Sequence, residues 1–219
     1  MAALSWTVVV PVKRLAVAKS RLAEVAGERR QELALAFALD TVDAVLATPS
    51  VGQVVVVSDE PLARAQAGAL GAVVVGDEPD AGLNPALRHG ATMARPGEGV
   101  AALSADLPAL APEALALALR LAAAHPTSFV ADADGGGTTF YAARRVADFV
   151  PAYGPGSSAR HLATGAVRLD SPALTTLRRD VDTARDLTQA RALGVGRRTA
   201  AVLAGIGDQG IGAGAAAGG

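Results

Sequence analysis

The chain has 219 residues, 51% hydrophobic and 19% charged, which suits one large α/β domain or two small ones with a substantial core. A formal net charge of −1 gives no global positive field to gather nucleic acid, so a phosphate ligand would need a local basic site. The absence of cysteine excludes disulfides, thiolate zinc sites and cysteine nucleophiles. Met1-Ala-Ala-Leu-Ser-Trp6 lacks the basic region, apolar run and cleavage site of a secretory signal. No long apolar run free of Gly, Pro and charge marks a membrane span, so a soluble cytoplasmic protein is expected.

Trp6-Thr-Val-Val-Val-Pro-Val12 is β-branched and apolar throughout, the pattern of a strand buried on both faces of a parallel sheet. A basic stretch, Lys13 to Arg21, follows it. Apolar residues then recur near period 3.6 from Glu28 to Ala47, predicting a long helix that Pro49 ends. Val54 to Ser58 reads as a second strand, Pro61 to Leu70 as a short helix and Ala72 to Val75 as a third strand. A Gly/Asp/Pro loop leads to a helix from Asn84 to Ala94, and Gly99 to Ser104 is the fourth strand. Pro112 opens an Ala/Leu helix to Ala124, and Ser128–Ala131 and Thr139–Ala143 are further strands. Strands alternating with helices of this length imply βαβ units and a doubly wound, mostly parallel α/β sheet, which binds ligands at the strands' carboxyl ends. Beyond Phe149 the alternation weakens. Thr175 to Asp182 is expected as an antiparallel edge strand, and Thr183-Ala-Arg-Asp186 as a capping box before a helix. Residues 1–196 therefore form one domain, and the Gly/Ala-rich 197–219 is expected as a disordered tail.

Several segments at the strand ends carry chemistry. Pro11-Val-Lys-Arg14 and Lys19-Ser-Arg21 place four cations after the first strand, where phosphate groups need positive charge. Asp106, in Ser104-Ala-Asp-Leu-Pro108, is held between a buried strand and a proline, and magnesium takes one or two such carboxylates plus phosphate oxygens. The same residue could equally cap a helix. Asp132-Ala-Asp134 precedes Gly135-Gly-Gly-Thr-Thr139. It is not a calcium loop, because Gly136 and Ala143 stand where ligands are required. Gly154-Pro-Gly-Ser157 opens a short helix with Arg160 and His161 one turn on, a pattern that binds small anions or simply caps the helix. Asp182 offers a second carboxylate, with an N-cap as the alternative. Gly205-Ile-Gly207-Asp-Gln-Gly210 matches the dinucleotide fingerprint by letter but lacks the strand–helix context that gives it meaning.

Together these segments resemble the guanylyltransferases that make the activated phospho-acid precursor of coenzyme F-420, which act on phosphoenolpyruvate or on 2-phospho-L-lactate. The carrying residues are Pro11-Val-Lys13 with Ala18-Lys-Ser-Arg-Leu22, Gly82-Leu-Asn84, Ala105-Asp-Leu-Pro108, Gly137-Thr-Thr139, Gly154-Pro-Gly-Ser157 with His161, and Asp180-Val-Asp-Thr183 with Asp186-Leu187. The resemblance implies a single domain of the nucleotide-diphospho-sugar transferase type. GTP and a small phospho-acid would be its substrates, Mg2+ its cofactor, and a homodimer is compatible with it. It further implies that Asp106 and Asp182 hold the metal and that Thr139, Gly154 and Ser157 hold the phospho-acid. Pro11, Val12, Lys13, Gly82, Leu83 and Asn84 would hold the nucleotide, with Lys13, Lys19, Arg21 and Asp106 catalytic. Phosphoenolpyruvate is preferred to 2-phospho-L-lactate because the Ala/Gly/Arg-rich composition fits a GC-rich actinobacterial source. The rivals are another nucleotidyltransferase of this fold, a metal-dependent glycosyltransferase using Asp132 and Asp134, and a non-catalytic nucleotide-binding module.

Overall fold

Val8, Val9 and Val10 of strand β1 (Trp6–Pro11) are wholly buried, because successive residues of a strand point to opposite faces and helices cover both. The computed structural model describes residues 4–15, 22 and 26–212. Its sheet also contains β2 (Val51–Val57), β3 (Val73–Val75), β4 (Gly99–Leu103), β5 (Thr127–Ala131), β6 (Thr138–Ala143) and β7 (Val167–Arg168). The strand order is β3-β2-β1-β4-β6-β5-β7. The first four are mutually parallel, β6 runs antiparallel between β4 and β5, and β7 pairs parallel with β5. The fold is thus the expected α/β arrangement with one reversed inner strand.

Helices α1 (Arg30–Leu46), α2 (Pro61–Ala69), α3 (Leu83–Ala91) and α4 (Pro112–Ala122) divide between the faces. Val8, Val10, Val54 and Val56 pack with Leu39 and Val42 of α1, Ala63 of α2 and Leu115 and Leu119 of α4. Val9, Val55 and Val57 point the other way, onto Ala86 and Leu87 of α3, and the same cluster takes in Phe129 and Tyr141. Two short helices, α5 (Ser157–Ala163) and α6 (Thr175–Arg178), precede α7 (Ala184–Leu193) and α8 (Arg197–Gly212). The expected capping box at the start of α7 is present: Thr183 Oγ1 accepts from Asp186 N–H, and the Asp186 carboxylate accepts from Thr183 N–H at 2.8 Å.

Two expectations are corrected. The segment expected as an edge strand from Thr175 to Asp182 begins as α6. Leu174 and Leu177 are both wholly buried in one cluster with α4, and residues three apart share a face in a helix but not in a strand. The segment expected as a disordered tail from residue 197 is helical to Gly212, so these residues extend the domain; residues 213–219 lie outside the described residues. Val202 packs into a cluster with Leu33 and Phe37 of α1 and Leu187 and Ala190 of α7.

The start of α8 is held by a residue far away in sequence. Asp40 of α1 is buried, and its carboxylate accepts from the backbone N–H groups of Arg198 (3.2 Å) and Thr199 (2.8 Å). These are amides that a helix cannot satisfy internally. Arg198 Nη1 returns to Asp43 at 2.7 Å and to Asp40 at 3.4 Å. Gly196 comes so close to Asp40 that a Cβ there would overlap the carboxylate. Asp40→Ala should therefore cost about 1–3 kcal/mol, read as a lower midpoint in urea unfolding, while Asp40→Asn should recover part of the loss. An unchanged Asp40→Ala midpoint would remove Asp40 as the anchor of α8.

Candidate active site

At Pro11 the chain leaves the sheet but does not yet leave its neighbours. Val12 N–H donates to Val57 O at 2.9 Å and Val12 stays buried, which delivers Lys13 and Arg14 exposed at the carboxyl end of β1. Lys13 lines a cavity of about 340 Å³ with Pro11, Leu83, Asp106, Tyr153 and Asp182. A second cavity, of about 280 Å³, shares Pro11, Val12, Lys13 and Leu83 and adds Gly82. Five of the six residues expected at the nucleotide, Asn84 being the exception, therefore border one or both cavities. Arg14 faces Asp59 and Asp80 at 4.0 and 3.9 Å, both pairs exposed and correspondingly weak. Lys19 and Arg21 lie outside the described residues.

Asp106 follows β4 in a loop that α1 fastens. Thr41 is wholly buried; its hydroxyl accepts from Leu107 N–H at 3.1 Å and lies 2.8 Å from Phe37 O and 3.3 Å from Ala105 O. The Asp106 carbonyl in turn accepts from Val181 N–H at 3.0 Å. That bond sets Asp180 and Asp182 against Asp106, from segments 74 residues apart at the nearer pair (180 − 106). The consequence is electrostatic. Burial, and then the charges of Asp106, Asp182 and Asp132, push the Asp180 carboxyl up to about 7. Asp180 was not singled out from sequence. The available signal was its spacing: Asp180 and Asp182 flank a wholly buried Val181, so in non-helical chain the two carboxylates share the side opposite the core.

Asp132 belongs to the same corner. One of its carboxylate oxygens accepts from Gly137 N–H at 2.7 Å, and the other is buried without a hydrogen-bond partner among the described residues. A side chain at Gly137 would overlap that carboxylate, so this glycine serves close approach. Asp134 is exposed on the turn. Among the described residues no three His, Cys, Asp or Glu side chains converge as a ready-made metal cage. Carboxylates sharing one field, with an unmet oxygen nearby, nevertheless form the hard-oxygen set suited to a cation such as Mg2+, which keeps water and phosphate oxygens as its other ligands.

Thr138–Thr139 and Gly154–Ser157 border neither of the two cavities, but they are joined to each other. Ser157 Oγ–H donates to Thr138 Oγ1 at 3.0 Å, and Ser158 N–H donates to Gly136 O at 3.2 Å, so α5 is tied to both the Gly run and β6. Thr139 is wholly buried, and its hydroxyl has no partner among the described residues. Gly154 is exposed at the turn, with its carbonyl accepting from Ser157 N–H at 3.0 Å. Asn84 clamps this turn from α3: Oδ1 accepts from Tyr153 N–H at 2.8 Å and Nδ2 donates to Tyr153 O at 3.0 Å. Its amide is thereby committed to the protein backbone. Tyr153 and Thr41 carry no sequence motif, and His161 only its place after Gly154-Pro-Gly-Ser157; their roles come from tertiary contacts.

The sign of the Asp180 shift yields a test. A carboxyl whose folded value lies above its unfolded one takes up a proton on folding, so stability falls as pH rises from about 4 to about 7. Asp180→Asn should raise the melting temperature of the metal-free protein at pH 8 and leave it unchanged at pH 4. Equal effects at both pH values in thermal unfolding would contradict the shared field.

Residues 6–208 match the guanylyl transferase CofC-like family. The chain is 59% identical over 206 residues to the phosphoenolpyruvate guanylyltransferase of Thermomonospora curvata, covering 93% of this chain and 90% of that protein. It is 54% identical to the protein of the same name from Streptomyces coelicolor, covering 92% and 97%. Among solved structures, a putative nucleotide-diphospho-sugar transferase from Desulfovibrio desulfuricans G20 superposes with a TM-score of 0.64 at 18% identity, covering 93% of this chain and 99% of that one. Rv0371c of Mycobacterium tuberculosis, solved in complex with manganese, gives 0.51 at 20% identity, covering 86% and 98%. The fold is that of the nucleotidyltransferases, and the chain belongs to the guanylyl transferase CofC-like family as an enzyme of guanylyl transfer.

Proposed function

We propose that this chain transfers GMP from GTP to phosphoenolpyruvate, giving enolpyruvoyl-2-diphospho-5'-guanosine and pyrophosphate, in coenzyme F-420 biosynthesis. The observation that carries the reading is the opposition within one cleft of Lys13 to Asp106 and Asp182, with Asp180 behind them. The names of the Thermomonospora and Streptomyces relatives support the acceptor. GTP lies along Pro11–Lys13 and Gly82–Leu83, and the phospho-acid sits at Thr139, Gly154 and Ser157.

A phosphate oxygen of the acceptor attacks the α-phosphorus of GTP in line. The new P–O bond forms as the bond to the β-phosphate breaks, and pyrophosphate leaves with its electron pair. No general base is required, because the attacking oxygen is already ionised at pH 7. Lys13, joined by Lys19 and Arg21, offsets the charge growing on pyrophosphate. Asp106 and Asp182, with Asp180, would hold Mg2+, which would supply Lewis-acid stabilisation of the charge on the reacting phosphates. The protein's remaining task is positioning, which the buried Thr and Ser hydroxyls perform without adding charge. We place the reaction in the cytoplasm, where both substrates are made; among the described residues no helix is long and apolar enough to cross a membrane.

Pyrophosphate release should be measured with GTP, Mg2+ and each acid in turn. Phosphoenolpyruvate should support turnover, and turnover with 2-phospho-L-lactate alone would overturn the choice of acceptor. Asp106→Asn should keep the fold by circular dichroism and lose roughly a hundredfold or more in kcat. Near-normal turnover by this variant would remove Asp106 from the metal site.

A further inference from the structure

Three separate stretches of chain make the phospho-acid seat, and a single imidazole joins them. His161, on α5, is wholly buried. Its ring stacks on Tyr141 at 4.6 Å between centroids, with Phe129 and Tyr153 each at 5.5 Å. Nε2 accepts from the backbone N–H of Ala152 at 3.0 Å. An amide nitrogen can only donate, so Nε2 presents its lone pair there, and the proton of the neutral ring is on Nδ1. Nδ1 lies 3.0 Å from Thr138 Oγ1, to which it donates. The same oxygen receives Ser157 Oγ–H at 3.0 Å. One ring thus fixes the turn that carries Gly154, the start of β6 that carries Thr139 and, through Thr138, the hydroxyl of Ser157.

The strand is shaped for this contact. Val130 pairs with Phe140 but Ala131 pairs with Thr138, so Thr139 is an extra residue in the ladder. Strict alternation would put Thr138 on the face of Phe140, away from Tyr141. The slip turns Thr138 back toward His161, as bulges beside functional sites do. A purely packing role would be met by phenylalanine, which fits an aromatic surround without burying two polar nitrogens. The ring also stays neutral under working conditions: burial, then the positive charge of Arg160, hold it down to about 4.

We propose that His161 is the positioning residue of the phospho-acid seat, setting the spacing between the Gly154–Ser157 turn and Thr138–Thr139 through its bonds to Ala152 and Thr138. The proposal rests on the reading that this seat receives the phospho-acid. His161→Phe keeps the stacking and removes both bonds. It should raise the KM for phosphoenolpyruvate by about tenfold or more and leave the KM for GTP within about twofold, since a lost hydrogen bond to a placed group is worth about that factor. His161→Asn, which can still donate to Thr138, should recover part of the loss. Thr138→Val leaves the imidazole in place and removes the oxygen it holds, so it should show the same split even if His161→Phe fails to fold. Folded variants with an unchanged phosphoenolpyruvate KM, or with both KM values raised alike, would overturn the proposal. A failure of the function itself would show first in the wild-type chain, as no turnover with phosphoenolpyruvate, and the positioning role would fall with it.

Discussion

Carboxylates at one corner of a sheet repel, and here burial, together with that repulsion, raises the Asp180 carboxyl to about 7. Backbone and core contacts help hold these segments together: the Val181 N–H to Asp106 carbonyl bond, the Thr41 hydroxyl beneath the Asp106 loop, and the burial of Val181 and Leu177 on either side of Asp180. The apolar core therefore supplies the free energy that the charged corner consumes. This is the usual cost of a site whose groups are placed for a ligand that is itself charged.

The same arrangement explains why the reversed strand matters. β6 lies between β4, whose following loop carries Asp106, and β5, which ends beside Asp132. Because β6 runs the opposite way, its first residues, Thr138 and Thr139, arrive at the carboxyl ends of its neighbours. A parallel strand in that position would bring its last residues instead. The antiparallel pairing thus places a hydroxyl-bearing corner between two carboxylate-bearing strand ends, and the Gly run makes the turn tight enough for Asp132 to fold back onto Gly137.

Much of this is legible in the sequence. The Val runs of β1, β2 and β3 and the position of Asp106 directly after β4 follow from short-range patterns, because a strand covered on both faces has almost no alternative composition. What was illegible depends on contacts between distant residues. Gly and Ala dominate the last helix and read as low complexity, yet Asp40 caps it from 158 residues away. Thr175 and Thr176 favour a strand by propensity, and the burial of Leu174 and Leu177 overrides that preference. Asn84 looked like a ligand contact within a Gly-Leu-Asn motif, while its amide is engaged by Tyr153, 69 residues on. Asp180 stands out from sequence only as part of a motif, since no local rule tells a carboxylate aimed into a cleft from one aimed at water.

A carboxyl near 7 also gives the corner a way to regulate its own charge. A proton on Asp180 lowers the repulsion among the carboxylates, and burial together with the neighbouring charges favours that proton. A divalent cation at this corner would compete with that proton, so its affinity should rise with pH. The bonds that join α5 to β6 run through Ser157, Thr138 and His161, whose ring is held neutral, so a change of pH that recharges the carboxylate corner leaves them in place. The division follows from composition: ionisable oxygens where charge must be matched, and neutral hydroxyls where only position must be set.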